Sequence, residues 1–183
     1  SRVVDKSDRD SMIFADGAGA TIIEKTKEPG GILSHNTASY TDDEVFYLYF
    51  GKSYNNDVKN ENRYIKMRGR KVYEFALTNV PAAMKECLDL AKVDISEVKK
   101  ILIHQANAKM DDAIVRRLHK LYNTDAPEHI MPLTVDRFGN SSVATVPTML
   151  DLIVSGNLDK HKIKSGDKII FASVGAGMHI NSM

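Results

Sequence analysis

Cysteine is nearly missing from this sequence. Cys87 is the one such residue in 183, which excludes an internal disulfide and leaves nothing from which to build a cysteine-rich zinc cluster. A reducing compartment, the cytoplasm, is the expectation that follows. An excess of either charge is also lacking, since 25 Lys and Arg oppose 24 Asp and Glu for a formal net charge of +1. A module that holds nucleic acid mainly through global positive charge is therefore disfavoured. No apolar run approaches the roughly 20 residues that cross a bilayer, and the polar start, Ser-Arg-Val-Val-Asp-Lys, does not fit a signal peptide. Neither nucleic acid nor membrane is an expected partner. The sequence does not open on methionine, so it is expected to begin after processing or inside a longer product.

What is present is 43% hydrophobic and 27% charged, a composition that offsets backbone entropy by packing a core. A complete domain of this size buries roughly 70% of its unfolded surface. Met12 to Phe14, the small residues Ala15-Asp16-Gly17-Ala18-Gly19-Ala20 and Thr21 to Glu24 predict a buried strand, with Gly17 and Gly19 allowing close backbone approach. After a Pro/Gly turn in Lys25 to Gly31, Ile32 to Ser39 predicts a second strand. From Thr41 to Met67 aromatic residues alternate with Asp, Asn and Lys, a covering excursion or a mobile loop.

Val72, Ala76, Val80, Ala83, Cys87 and Ala91 recur at helical spacing and predict a helix from Gly69 to Ala91. Pro81 predicts a bend or boundary within it. Cys87 falls on the apolar stripe, a packing position that disfavours its thiolate. Val98 to Ile103 predicts a buried strand, and a helix follows His104-Gln105-Ala106-Asn107 through Leu121. Val135 and its neighbours predict a short strand before Gly139-Asn140, and Val143 to Val154 a helix distorted at Pro147. Asp167 to Ser173 predicts a strand entering a Gly-Ala-Gly turn, and Met178 to Asn181 a returning one. Short apolar strands alternating with longer helices favour an α/β layer over a β-sandwich.

His104 stands at the end of an apolar strand, where a sheet's carboxyl edge projects polar groups into a crevice. A neutral imidazole there either transfers protons and stabilises an oxyanion or is a satisfied structural histidine. Asn107 and Asn140 add uncharged donors. Ser141 lacks the Gly-x-Ser-x-Gly context of a hydrolase nucleophile, and Gly175-Ala176-Gly177 lacks the Gly-Lys-Ser/Thr of a phosphate cradle.

Taken in order, Ala15 to Ala20, His104-Gln105-Ala106-Asn107, Gly139-Asn140-Ser141-Ser142 and Gly175-Ala176-Gly177 resemble the motifs of the ketoacyl-carrier-protein synthase III family, among the thiolase-like condensing enzymes. The resemblance implies a partial thiolase-like αβαβα fold, the C-terminal portion of the family. Residues 1–40 would end the N-terminal half, 41–68 form a variable excursion, and 69–183 form the C-terminal half with its final strand truncated. It also implies catalytic roles for His104 and Asn140, which would position a malonyl thioester and stabilise the enolate left by decarboxylation. By the same comparison Asn107 braces the site, although Asn also commonly satisfies local backbone groups. Gly139, with Ser141 and Ser142, holds the Asn140 turn near substrate or caps a helix, and Gly175 and Gly177 shape the thioester region.

Lys109 matches a basic carrier-docking position. On the helix it shares a broad face with Arg116 and Lys120, partly offset by Asp111 and Asp112, and solvation alone is the alternative. The implied reaction condenses an acyl group from acyl-CoA with malonyl-acyl-carrier protein. It needs no metal or cofactor beyond the coenzyme A and phosphopantetheinyl thioesters that serve as substrates. The family's cysteine nucleophile precedes the Asp16 to Ala20 segment, which Cys87 does not. On this reading the isolated chain is inactive, its missing N-terminal half is a partner, and the intact enzyme is a homodimer. The competing expectation is a noncatalytic domain that binds acyl-CoA or a carrier protein.

Overall fold

A computed structural model describes residues 3–183; Ser1 and Arg2, the first of the polar start noted above, lie outside the described residues. The strands are β1 (Asn36–Ser39), β2 (Leu48–Gly51), β3 (Tyr64–Met67), β4 (Val98–Ile103), β5 (Lys168–Gly175) and β6 (His179–Ser182). The helices are α1 (Gly69–Ala91), α2 (Ala108–Lys120), α3 (Val135–Phe138) and α4 (Thr145–Val154). The main sheet runs β1-β6-β5-β4, with β4 and β5 parallel and the other pairs antiparallel. Such a parallel pair requires a long crossover, which here carries α2, α3 and α4.

The second half of β4 explains its own apolar run, Ile101-Leu102-Ile103. Ile101 and Ile103 face the core built with α1 and α2, while Leu102 faces Met149 and Ile153 of α4. Successive side chains point to opposite faces, so a strand covered on both sides has no polar face to show. The layers are thus α1 and α2 on one face and α4 on the other.

α1 spans the predicted residues without a boundary at Pro81. A proline withdraws the N–H that would bond the carbonyl four residues earlier, here that of Leu77. That carbonyl accepts instead from Arg117 Nη1 of α2 at 3.0 Å. The same residue that breaks one bond within α1 thereby opens a bond between helices. Pro147 produces no distortion either, because it is the third residue of α4, where amides have no partner inside the helix.

Other expectations are corrected. The buried strand expected over residues 12–24 is not there: Arg9–Ile13 is a 3₁₀ turn, Phe14 makes a single parallel bridge to Asn140, and the chain then runs exposed, with Ile22 at 95%. The small residues serve close approach, as expected. A Cβ on Gly17 would lie 2.8 Å from Ser141 Cβ, and one on Gly19 would lie 2.5 Å from Pro147 Cγ. Only Asn36–Ser39 of the second expected strand is regular, held by β6. Val135 begins a helical turn rather than a strand.

Between β1 and α1 lies the β2-β3 pair. Lys66 of β3 is buried and paired with Asp5 at 2.7 Å and Asp8 at 2.6 Å, clipping the early chain to this ribbon. The Lys66 ammonium holds Asp5 down at about 2. No helix among the described residues is long and apolar enough to cross a membrane.

Candidate active site

The end of β4 and the turn after α3 meet at one cavity of about 810 Å³, and His104 and Asn140 both line it. His104 is placed by its backbone N–H, which donates to Ala172 of β5 at 2.9 Å and so continues the parallel pairing beyond the strand. Asn140 is pinned from the early chain: its N–H donates to the Ile13 carbonyl at 3.0 Å, and its carbonyl accepts from Ala15 at 2.8 Å. Ser142 joins the two. Its N–H donates to Asn140 Oδ1 at 2.9 Å, and its carbonyl accepts from His104 Nδ1 at 3.3 Å. Ser142 does this at φ +55°, a left-handed conformation that is costly for a residue with a side chain and that concentrates at functional sites.

This clamp fixes what each side chain offers. A carbonyl only accepts, so His104 carries its hydrogen on Nδ1 and leaves the Nε2 lone pair unused by that bond. Burial pushes the His104 pKa down against the opposing pull of the Ser142 carbonyl, which keeps the ring neutral near pH 7. With Asn140 Oδ1 occupied by Ser142, the amide nitrogen is the group left to donate.

Of the remaining expected residues, Gly175 lines the cavity, while Asn107, Lys109, Gly139 and Gly177 do not. Asn107 is the N-cap of α2, its Oδ1 accepting from Met110 at 2.9 Å. This is the local alternative. Lys109 is exposed on the first turn of α2. Gly139 ends α3 at φ +64°, and Gly177, at φ +75°, lies where a Cβ would meet His179 Nε2 at 2.8 Å.

Sequence reasoning missed two groups. His179 lines the cavity and shares a 2.6 Å hydrogen bond with Ser39, an encounter created by the β1-β6 register and invisible in local sequence. Gln105 is fully buried and hydrogen-bonded to the segment before α3. Its signal was available, since a polar amide closing an apolar strand must find partners. No group of three or more His, Cys, Asp or Glu among the described residues is placed to hold a metal ion.

Comparisons with known proteins follow the same lines. Residues 88–183 match the family model described as 3-oxoacyl-[acyl-carrier-protein (ACP)] synthase III C terminal. Residues 1–41 match the model described as 3-oxoacyl-[acyl-carrier-protein (ACP)] synthase III. The beta-ketoacyl-[acyl-carrier-protein] synthase III of Erythrobacter litoralis (strain HTCC2594) is 35% identical over 182 residues, covering 97% of this chain and 52% of that protein. Its counterpart in Clostridium botulinum (strain Okra / Type B1) is 34% identical over 186 residues, covering 97% and 53%. The chain spans about half the length of the curated relatives it matches. Among solved structures, the synthase III of Thermus thermophilus matches 99% of this chain and 54% of its own with a TM-score of 0.81 and 26% identity. The priming beta-ketosynthase of the R1128 polyketide biosynthetic pathway matches 100% and 52%, also at 0.81, with 27% identity.

These findings correct the expectation of a C-terminal portion alone, both as a family assignment and as a fold. The likeness runs along the whole chain, residues 1–41 match the model that is not the C-terminal one, and β1 from that early region is an edge of the main sheet. The expectation of a wholly missing N-terminal half as a partner is corrected to the same extent, since residues 1–41 match a family model other than the C-terminal one. The expected inactivity for want of a cysteine is corrected as well. Cys87 supplies a buried thiol, its Sγ 3.1 Å from Ser34 Oγ, so lack of a thiol is no argument for inactivity. Cys87 sits on α1 in the core and is not among the cavity-lining residues. With His104 and Asn140 on one cavity and the C-terminal family model matched across more than half of the sequence, the chain belongs to the 3-oxoacyl-[acyl-carrier-protein] synthase III family.

Proposed function

We propose that the protein takes part in decarboxylative Claisen condensation of an acyl thioester with malonyl-acyl-carrier protein. The products are a β-ketoacyl thioester on the carrier, carbon dioxide and the thiol that had borne the acyl group. The observation that carries this reading is the Ser142 clamp, which sets His104 and Asn140 on the same cavity with defined hydrogen-bonding roles. When the malonyl carboxylate leaves, its bonding electrons enter the thioester and charge grows on the carbonyl oxygen. The Asn140 amide nitrogen donates to that oxygen, and a preorganised donor is worth most where water is excluded. His104 Nε2 takes up a proton from solvent, donates with it to the same oxygen, and passes it on to the thiolate released in the next step, giving the thiol product. The enolate carbon then attacks the acyl thioester and expels its thiolate.

Gly175 contributes to the cavity wall beside them, and Lys109 steers the acidic carrier by charge. The free thiol of Cys87 supports a reducing compartment, the cytoplasm. In an assay with acyl-CoA and malonyl-acyl-carrier protein, His104→Ala and Asn140→Ala should each lower β-ketoacyl formation about 10²- to 10³-fold. Initial acyl transfer should suffer less. Retention of full condensation in both variants would remove their roles, whereas absence of condensation in the unmodified protein would leave a domain that binds thioesters without turning them over.

A further inference from the structure

We infer that Gln105 is a positioning residue that sets the spacing of His104 and Asn140, an inference that rests on the condensation reading. The Gln105 side chain is 0% exposed and its amide is used at both ends. Nε2 donates to the Pro132 carbonyl at 2.6 Å and to Met149 Sδ at 3.2 Å. Oε1 accepts from Thr134 N at 2.8 Å, Val135 N at 3.0 Å and Thr134 Oγ1 at 3.2 Å. Thr134 holds the N-cap position of α3 but makes no capping bond with its own side chain. Gln105 supplies that cap from another part of the chain, bonding an amide that a helix start leaves without an internal partner.

The consequence is a closed span. Residues 134–142 leave the Gln105 amide, turn through α3 and Gly139, present Asn140, and return through the Ser142 carbonyl to His104, the immediate neighbour of Gln105. Both ends of the Asn140 segment are therefore tied to a single dipeptide at the end of β4. Because three donors crowd one end of the amide and a carbonyl lies at the other, only a group that accepts on one side and donates on the other fits. An ionised carboxylate fails at Pro132, where two acceptors would meet; a protonated carboxyl succeeds, with its O–H in place of the N–H.

That requirement separates positioning from mere packing. Gln105→Leu and Gln105→Glu are to be compared with the unmodified protein by ¹H–¹⁵N spectra of the Asn140 side chain, the Ser142 amide and the His104 ring. Turnover with malonyl-acyl-carrier protein is followed in parallel. In Gln105→Leu the three signals shift while those of Val80 and Ala83 in α1 stay in place, and kcat falls about tenfold or more with little change in KM, as expected for sub-ångström misplacement. In Gln105→Glu the same signals are displaced at pH 8 and return toward those of the unmodified protein at pH 5.5 as the carboxyl is protonated. This variant also serves if Gln105→Leu does not fold. Unmoved signals and unchanged kcat in Gln105→Leu, or a Gln105→Glu spectrum that departs equally at both pH values, would overturn the inference. Shifted signals without any condensation in the unmodified protein would sustain the positioning role and defeat the functional reading instead.

Discussion

Asp111 carries the most perturbed carboxyl in the chain's folded interior: it is fully buried, and neither oxygen has a hydrogen-bond partner among the described residues. Burial pushes its pKa up to about 7, against the weaker pull of the nearby Ala106 and Asn107 amides. From the ordinary carboxyl value of 3.8 up to about 7 the folded chain holds a proton that the unfolded chain releases, so stability declines as pH rises across that window and levels off above it. Asp111→Asn should abolish this decline, which amounts to a few kcal/mol at most. Urea unfolding of both proteins at pH 5 and pH 8 checks it, and an equal pH dependence in the two would refute it. His161 works in the opposite sense. Burial lowers its pKa to about 4, and stability contributed by its neutral form is lost as pH falls from about 6.5 to about 4. The comparison with Asn isolates Asp111 from that trend. In the sequence Asp111 had been grouped with Asp112 as an offset to neighbouring cations. The structure divides them, Asp112 pairing with Arg116 at 2.8 Å while Asp111 shares the buried face of Ile114, Val115 and Leu118. That division was legible in the spacing of three, four and seven residues, had the aspartate been read by position rather than by charge.

The longer helices and β4 were legible because their causes are local. The apolar stripe of α1 and the Ile101-Leu102-Ile103 run of β4 each follow from a pattern contained within the element. Segments whose state depends on a distant partner were not. Residues 12–24 have strand-like composition but find, among the described residues, a single bridge, Phe14 to Asn140, and form no strand. β1 is ordered by β6, 146 residues away at the Ser182 to Asn36 pairing, which shows that register rather than composition decides an edge strand. Pro81 belongs to the same lesson, because what preserves α1 there is a guanidinium from α2. Arg117→Met should therefore destabilise the fold by about 1 kcal/mol. In the Pro81→Ala background, where an α1 amide again reaches Leu77, the same substitution should cost less. Denaturant midpoints of the four proteins measure the coupling, and strictly additive losses would show that Arg117 does not act through the Leu77 carbonyl.

Across the whole molecule the site is assembled from four regions of the chain. The early segment pins Asn140, β4 delivers His104, the turn after α3 carries Asn140 itself, and β5 with β6 supplies Gly175 and His179. The motifs named the two principal residues, while the clamp through Ser142, the brace at Gln105 and the approach of His179 to Ser39 arise only when those regions meet. The central claim is that the imidazole of His104 and the amide of Asn140 act on one thioester carbonyl. Its most direct test is a double-mutant cycle on malonyl-thioester decarboxylation, read as carbon dioxide release by the unmodified protein, His104→Ala, Asn140→Ala and the double variant. Groups that share one oxygen are coupled, so the double variant should be little slower than the slower single variant. Losses that simply multiply would place the two residues on separate steps and contradict the account.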